Sequence, residues 1–364
     1  MNFSLSETQQ QVQALALQII GDSTSPAQLS HFDSTGYFDR DLWQTLAEAG
    51  LLGIAIDESY GGMGMDFETL CVLFEVAGQH ATPAPLLSVL ANAALPLQRF
   101  ASKDICAEIL PKIASGDCLV TGALNLEDTD LVITSEGEQA LLTGQTGVIA
   151  LGFDADYGLL YARLNGQIAV VLVGLHQDTC QRDKQVMTNG EYAATLNFNS
   201  TPCRIIAQEI SATYMGLYAQ QHELVASAAY GCGTGVALLA KACAHTSERK
   251  QFGKAIGSFQ AVQHQLADAH IQSECLRAAT ENAIYQLSQS ESSPQTAQAV
   301  LTAKIWLGDA LHKISHISQQ VHGGTGIDHD YGMFRFCTAA RMLELTGGCS
   351  TTAQVTLGRS LAAQ

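Results

Sequence analysis

Basic side chains are scarce in this 364-residue chain: 18 Lys and Arg stand against 35 Asp and Glu, a formal charge of −17 at pH 7. With no cluster of positive charge to neutralise phosphates, the acidic field excludes a nucleic-acid binder and disfavours anionic lipid surfaces. Charge of either sign is thin. Charged residues make up 15% of the chain and hydrophobic ones 47%, whereas roughly 25% charged is usual for soluble domains. A surface so poor in charge implies that part of it is buried against other subunits. The run of about eighteen uninterrupted apolar residues that a membrane span needs is missing. The start, MNFSLSETQQ, lacks the basic region and apolar core of a secretory leader, so a cytoplasmic location is expected. The 10 cysteines are scattered from Cys71 to Cys349 without a CxxC pair. That pattern reads as reduced, mostly buried thiols and not as a disulfide framework or a zinc site. Among 11 histidines there is no HExxH or other metal-ligand spacing.

Helical and strand patterns fall in blocks. Ser4 and Glu7 have capping-box spacing, and Val12, Leu15, Ala16 and Ile19 follow at helical intervals. Phe67, Leu70, Cys71, Phe74 and Ala77 repeat the stripe after Asp66, a helix-capping residue type. Between them Tyr60-Gly61-Gly62-Met63-Gly64 marks a turn. These signals predict a helical domain over 1–116. Short apolar runs then alternate with turn residues, as in DLVITS, GVIALG, YGLLYARL, QIAVVLVGL and YAATLNFNS, predicting a β domain over 117–210. Asn165-Gly166 between two of these runs predicts a tight hairpin, and Asn189-Gly190 repeats the cue. Helical periodicity returns over 211–364. The fold class read from this order is a multidomain α+β chain, with no repeat of fixed period.

The most specific string is Glu248-Arg249-Lys250-Gln251-Phe252-Gly253-Lys254, followed by Ile256, Phe259 and Gln260. A planar guanidinium beside an aromatic and a tight glycine suits an anionic dinucleotide. Taken alone, the same string is better read as a basic helix end complementing the helix dipole. Its company changes that balance. Together with His264-Gln265-Leu266-Ala267-Asp268 and with Gln320-Val321-His322-Gly323-Gly324-Thr325-Gly326-Ile327, it resembles the signature of the acyl-CoA dehydrogenase family. Gly50-Leu51-Leu52-Gly53-Ile54 with Tyr60-Gly61-Gly62, and Leu110-Pro111 with Gly116, resemble the family's earlier motifs. The likeness covers essentially the whole chain.

This resemblance implies an N-terminal helical domain, a small middle β-barrel or sandwich and a C-terminal four-helix bundle, binding FAD and assembling as a tetramer. In the family, the adenosine and pyrophosphate part of FAD is held by a neighbouring subunit. It therefore implies that Arg249, Gln251, Phe252, Gln260, Gln320, Gly323 and Gly324 serve a cofactor seated mainly in another chain. The implied reaction is α,β-desaturation of an acyl-CoA thioester, with electrons passed on to an electron-transfer flavoprotein.

Two departures from the family pattern bear on mechanism. Where the family carries its late catalytic glutamate, this chain has Thr346-Gly347-Gly348-Cys349-Ser350, with Gly347 at the glutamate position. A minority of the family places the base on the first long helix of the C-terminal domain, and that position falls on Glu223. A carboxylate beside Leu224, Val225 and Ala226 would be desolvated and suited to general-base work, whereas an arbitrary helical glutamate is usually solvated. If Tyr214 to Arg249 is one helix, Glu223 and Arg249 lie 26 positions apart, about 39 Å, and cannot grip the same end of one flavin. The second departure is in the β domain. Neither Thr-Glu-Pro nor Gly-Ser-Asp occurs in Ala123-Leu124-Asn125-Leu126-Glu127-Asp128-Thr129-Asp130, and the aromatic-Ile-Thr element is replaced near Val148-Ile149-Ala150.

Intact adenosine-side motifs beside a degenerate ring side fit a known family arrangement, in which unlike subunits pair into a heterotetramer. Two readings follow: a catalytic subunit with Glu223 as base, or a non-catalytic partner that completes the FAD site of an active paralogue. Small residues after the candidate base, from Ala226 to Gly233, leave room for a branched or polycyclic acyl group, or serve tight helix packing. Gly231-Cys232-Gly233-Thr234-Gly235 follows no strand, so it reads as helix packing and not as a dinucleotide loop. His322-Gly323-Gly324 resembles an esterase oxyanion loop, yet no Gly-x-Ser-x-Gly elbow accompanies it, which argues against a hydrolase.

Overall fold

The computed structural model describes residues 4–33, 35–36, 38–124, 130–136 and 139–362. Six α-helices precede the sheet: α1 (Glu7–Ser23), α2 (Pro26–Phe32), α3 (Arg40–Glu48), α4 (Phe67–Gln79), α5 (Leu95–Phe100) and α6 (Lys103–Ala114). A π-helix, Leu87–Ala94, runs directly into α5. The first helix is capped differently from the expectation on Ser4 and Glu7. Ser6 is the cap, its hydroxyl accepting from Gln9 N while Gln9 Oε1 accepts from Ser6 N. The capping-box pattern tolerates Gln as well as Glu at its fourth position, so two overlapping candidates existed and the inner one forms.

Seven strands make one sheet: β1 (Val120–Ala123), β2 (Val132–Glu136), β3 (Gln139–Ala150), β4 (Tyr157–Leu164), β5 (Gln167–Gly174), β6 (Cys180–Val186) and β7 (Tyr192–Gln208). Pairing runs β4-β2-β3-β7-β5 and returns from β5 to β4, so the path closes into a barrel; β1 adds to β4 in parallel and β6 to β7 antiparallel. Closure removes most unpaired strand edges. The Asn165-Gly166 hairpin forms as the sequence predicts, with both residues at positive φ (51° and 79°) and Leu164 opposite Gln167.

Helices return with α7 (Glu209–Glu248), α8 (Gln260–Gln289), α9 (Pro294–His322), α10 (Met333–Leu345) and α11 (Ser350–Ala362), and a two-stranded hairpin, β8 (Lys250–Gln251) and β9 (Lys254–Ala255), lies between α7 and α8. By length and composition alone α7 could cross a membrane, but 67% of its most apolar window is buried, as in a core helix.

The chain divides into two compact units. One gathers Met1–His31, Phe67–Thr82 and Leu224–Gln364. Within it α4 and α7 approach backbone to backbone: a Cβ on Gly78 would overlap Tyr230 O, and one on Gly233 would overlap Glu75 O. This is the helix packing expected of the Gly231–Gly235 run, and Gly231 is likewise filled against Leu307 of α9. Arg277 of α8 grips Glu75 of α4 through two bonds of 2.8 and 3.3 Å. The buried ammonium of Lys304 donates to Leu343 O and Glu344 O at the end of α10, where a cation complements the helix dipole.

The other unit gathers Phe32–Asp66 and Pro83–Glu223. Trp43 Nε1 donates to Gly116 O at 3.2 Å, and Tyr161 of β4 donates its hydroxyl to Ala212 O at 2.9 Å. A side chain at Gly216 would occupy the position of the Tyr161 hydroxyl, so the barrel and the start of α7 meet at a fixed register.

Candidate functional site

Glu223 is partly buried near the middle of α7. Its Oε1 accepts a 2.8 Å hydrogen bond from Nδ2 of Asn92, on the π-helix. Val89, Leu90, Ala91, Ala93 and Ala94, on the same π-helix as Asn92, are all buried. On the preceding position of α7, His222 is buried, stacks on Tyr218 with ring centroids 3.9 Å apart, and donates from Nδ1 to Tyr218 O at 2.8 Å. Burial pulls its pKa down to about 4, so the imidazole beside Glu223 is neutral at physiological pH and brings no positive charge to the carboxylate. Asn92 was not anticipated from the sequence. Its only sequence trace is one amide inside the apolar run LLSVLANAALPL, and hydrophobic periodicity does not distinguish a π-helix from an α-helix.

Gly347, which the resemblance sets at the family's late glutamate position, carries no base. Gly347 has φ +65° and Gly348 φ +98°, and a Cβ at Gly347 would stand 2.6 Å from Leu224 Cδ2. An L-residue there would be strained in its backbone and crowded by the residue that follows Glu223 in the chain.

The ends of α7 and α9, which carry the Arg249 and Gly323 motifs, meet within the first unit. Arg249 N donates to His245 O one turn back, and His245 stacks on His322 at 4.3 Å, which brings the end of α7 beside the Gly323-Gly324 turn. His322 donates from Nδ1 to Ser318 O at 2.6 Å and lies 3.1 Å from the Tyr331 hydroxyl through Nε2. Burial first, then the nearby His245 and Lys241, hold His322 below its ordinary pKa, so the neutral ring, with Tyr331 as donor to Nε2, is the resting arrangement. Gly323 N–H bonds Gln319 O and Gln320 O, closing α9 with φ 60° and ψ −136°, a conformation open to glycine. A Cβ on Gly323 or Gly324 would meet nothing within 4 Å, so the backbone there faces open space.

The β8–β9 hairpin, which follows α7, carries Phe252 and Gly253 at its tip, at φ 53° and 79°. Phe252 is 92% exposed. A bulky aromatic in left-handed backbone and in water is unfavourable twice over, which is the mark of a residue awaiting a partner. Phe252 meets Phe259 edge to face at 6.3 Å, and Lys254 Nζ lies 4.3 Å over the Phe259 ring, so Gln260 at the start of α8 is drawn to the same hairpin. Arg249, Gln251, Gln260, Gln320, Gly323 and Gly324 are all exposed. An exposed guanidinium and an exposed aromatic on the hairpin segment, and an open glycine turn at the end of α9, are the kinds of group that hold the adenosine and pyrophosphate part of a dinucleotide such as FAD. The replaced ring-binding string at 125–129 lies outside the described residues; Val148 of β3 is described and is 58% exposed.

Comparison with known proteins identifies the family. Family models described as "Acyl-CoA dehydrogenase, N-terminal domain" and "Acyl-CoA dehydrogenase, C-terminal domain" match residues 6–117 and 217–362. Acyl-CoA dehydrogenase FadE27 of Mycobacterium tuberculosis is 28% identical over 370 residues, covering 100% of this chain and 99% of that one. Among solved structures, the ChsE4-ChsE5 complex from Mycobacterium tuberculosis is 27% identical with TM-score 0.92 over 100% of both chains. A variant of the Tcur3481-Tcur3483 steroid ACAD is 28% identical with TM-score 0.90 over 99% of both.

Proposed function

Because the chain belongs to the acyl-CoA dehydrogenase family, we propose that it is a subunit of an FAD-dependent enzyme that desaturates an acyl-CoA thioester between its α and β carbons. The FAD site is shared between subunits in this reading. This chain supplies the adenosine-side residues Arg249, Gln251, Phe252, Gln260, Gln320, Gly323 and Gly324, and a paralogous partner supplies ring contacts in a heterotetramer. The observation that carries it is the exposed, strained Phe252 beside an exposed Arg249 and an open glycine turn. Such a surface is built to close against something outside the chain. The pairing of unlike subunits in the ChsE4-ChsE5 complex supports it.

The flavin, when bound, supplies the two-electron acceptor for hydride leaving the β carbon. The protein's own task is to remove the α proton, and Glu223 is the base. It is held by Asn92 as a carboxylate, partly buried, with a neutral imidazole at the preceding position of α7. Electrons then leave to an electron-transfer flavoprotein. Likeness to a steroid ACAD directs the acyl group toward a steroid, and the small buried side chains Ala226, Ser227, Ala228 and Ala229 after the base are compatible with bulk.

A second reading rests on the loss of Thr-Glu-Pro and Gly-Ser-Asp from the run 123–130, with the aromatic-Ile-Thr element likewise replaced near Val148-Ile149-Ala150. Under it, this chain only completes the FAD site of a catalytic paralogue. Glu223→Gln and Arg249→Ala separate the two. In the first reading, Glu223→Gln abolishes substrate-dependent flavin reduction with flavin retained. In the second, only Arg249→Ala has an effect, by stripping flavin from the complex.

A further inference from the structure

Glu223 has a partner that no sequence motif announces. Asn92 sits within an eight-residue π-helix, Leu87–Ala94, in which the wider turn is closed by Leu95 N bonding Leu90 O five residues back. Such turns cost regular hydrogen bonding and are enriched at functional sites, where they redirect a side chain. Its backbone is fixed from the other side as well. β1 passes so close that a Cβ on Gly122 would overlap Asn92 O, and only glycine allows the approach. From this seat Nδ2 donates to Glu223 Oε1 at 2.8 Å. The amide's other end, Oδ1, is buried and without a hydrogen-bond partner among the described residues.

An orphaned buried acceptor is unfavourable, and an apolar residue would fill a helix lined by Val89, Leu90, Ala93 and Ala94 with less difficulty. The asparagine is therefore accounted for by its donor end. An amide N–H is satisfied by an ionised carboxylate, and a bond to the charged form favours that form. His222, which precedes Glu223 on α7, is buried, bonded to Tyr218 O and neutral, so it adds no positive charge beside the carboxylate.

We propose that Asn92 is a positioning residue for the desaturation, holding Glu223 ionised and fixed in one rotamer from the π-helix. This rests on the reading of Glu223 as the base. Asn92 itself touches no reacting atom in this account.

The test uses the flavin-loaded assembly containing this chain, with Asn92→Leu, Asn92→Asp, Glu223→Gln and the Asn92→Leu/Glu223→Gln pair. Flavin reduction by a saturated acyl-CoA is followed without oxygen across pH, and thermal unfolding of all variants is compared. Loss of the donor in Asn92→Leu should move the acidic limb of the rate profile upward by about one pH unit, and loss of the fixed carboxylate geometry should lower the plateau rate about tenfold. Asn92→Asp keeps the shape but sets a second carboxylate beside the first, and should move the limb further in the same direction. The two single stability losses should be non-additive in the double variant. An unmoved limb in both Asn92 variants, with Glu223→Gln inactive, overturns the positioning role and leaves the base assignment intact. Additive stability losses also overturn it. Full activity of Glu223→Gln removes the base, and the proposal falls with it even if the stability coupling persists.

Discussion

The Glu223 neighbourhood and the Arg249 face are built on opposite principles. Around Glu223 the polar groups are drawn inward: the carboxylate takes a hydrogen bond from Asn92, His222 is buried and neutral, and the helix presenting Asn92 is pressed against β1 through Gly122. Around Arg249 the chain leaves its chemistry in water, with Phe252 at 92% exposure in left-handed backbone and Gly323 and Gly324 facing open space. The first arrangement is finished within one chain, as a general base requires if it is to be desolvated and fixed. Under the proposed function the second is half of a site. A surface that tolerates strain and exposed aromatic area in the free chain is accounted for by what covers it in the assembly.

That contrast is sharpest in the rate and cofactor content of two variants. Glu223→Gln should lower substrate-dependent flavin reduction by about 10²–10⁴-fold with flavin content unchanged. Arg249→Ala should do the reverse, costing about 1.5–3 kcal/mol of cofactor binding through a lost charge-assisted contact while the chain itself stays folded. If Arg249→Ala retains full flavin content, the outer face is not half of a cofactor site.

The interior arrangement also predicts a pH response. His222 in the folded chain titrates near 4, below the 6.5 of a free imidazole. As pH falls, the unfolded state takes up this proton first, so the stability is fully present above 6.5 and is lost on the way down to about 4. The loss amounts to at most about 3 kcal/mol. His222→Phe, which keeps a ring stacked on Tyr218, should flatten the unfolding midpoint against pH over that interval. An equally steep decline in the variant would mean that other groups carry the acid sensitivity.

The smallest effect belongs to the hairpin tip. Phe252→Gly should stabilise the isolated chain by about 1 kcal/mol by relieving the left-handed backbone, and it should weaken flavin retention in the assembly. A variant that is no more stable, or that holds flavin as well as the parent, would show that Phe252 is neither strained nor used.

The sequence carried much of this because its strongest signals are local. Asn165-Gly166 specifies a turn by backbone conformation alone, and the β4–β5 register follows from it. Gly231 and Gly233 in a helical stretch predict close packing, and α4 and α9 are where it occurs. The Arg249 string and the Gly323 turn are far apart in the chain, and only the His245–His322 stack shows that they share one surface. What stayed hidden is non-local. Asn92 and Glu223 are separated by 131 positions, and the π-helical turn that aims one at the other has no periodic signature distinct from an α-helix. The same holds for Gly347. Its identity announced a missing base, but that Leu224 now fills the space is a fact of packing.

The central claim is that this chain contributes half of a cofactor site completed by an unlike subunit. It is tested most directly by flavin absorbance per protomer, measured on the chain purified alone and again after co-expression with an acyl-CoA dehydrogenase paralogue. The account predicts an empty or insoluble lone chain that reaches about half a flavin per protomer in the complex, since each pair of subunits holds one working site. About one flavin per protomer in the chain alone would contradict it and would make the protein a self-sufficient homo-oligomer.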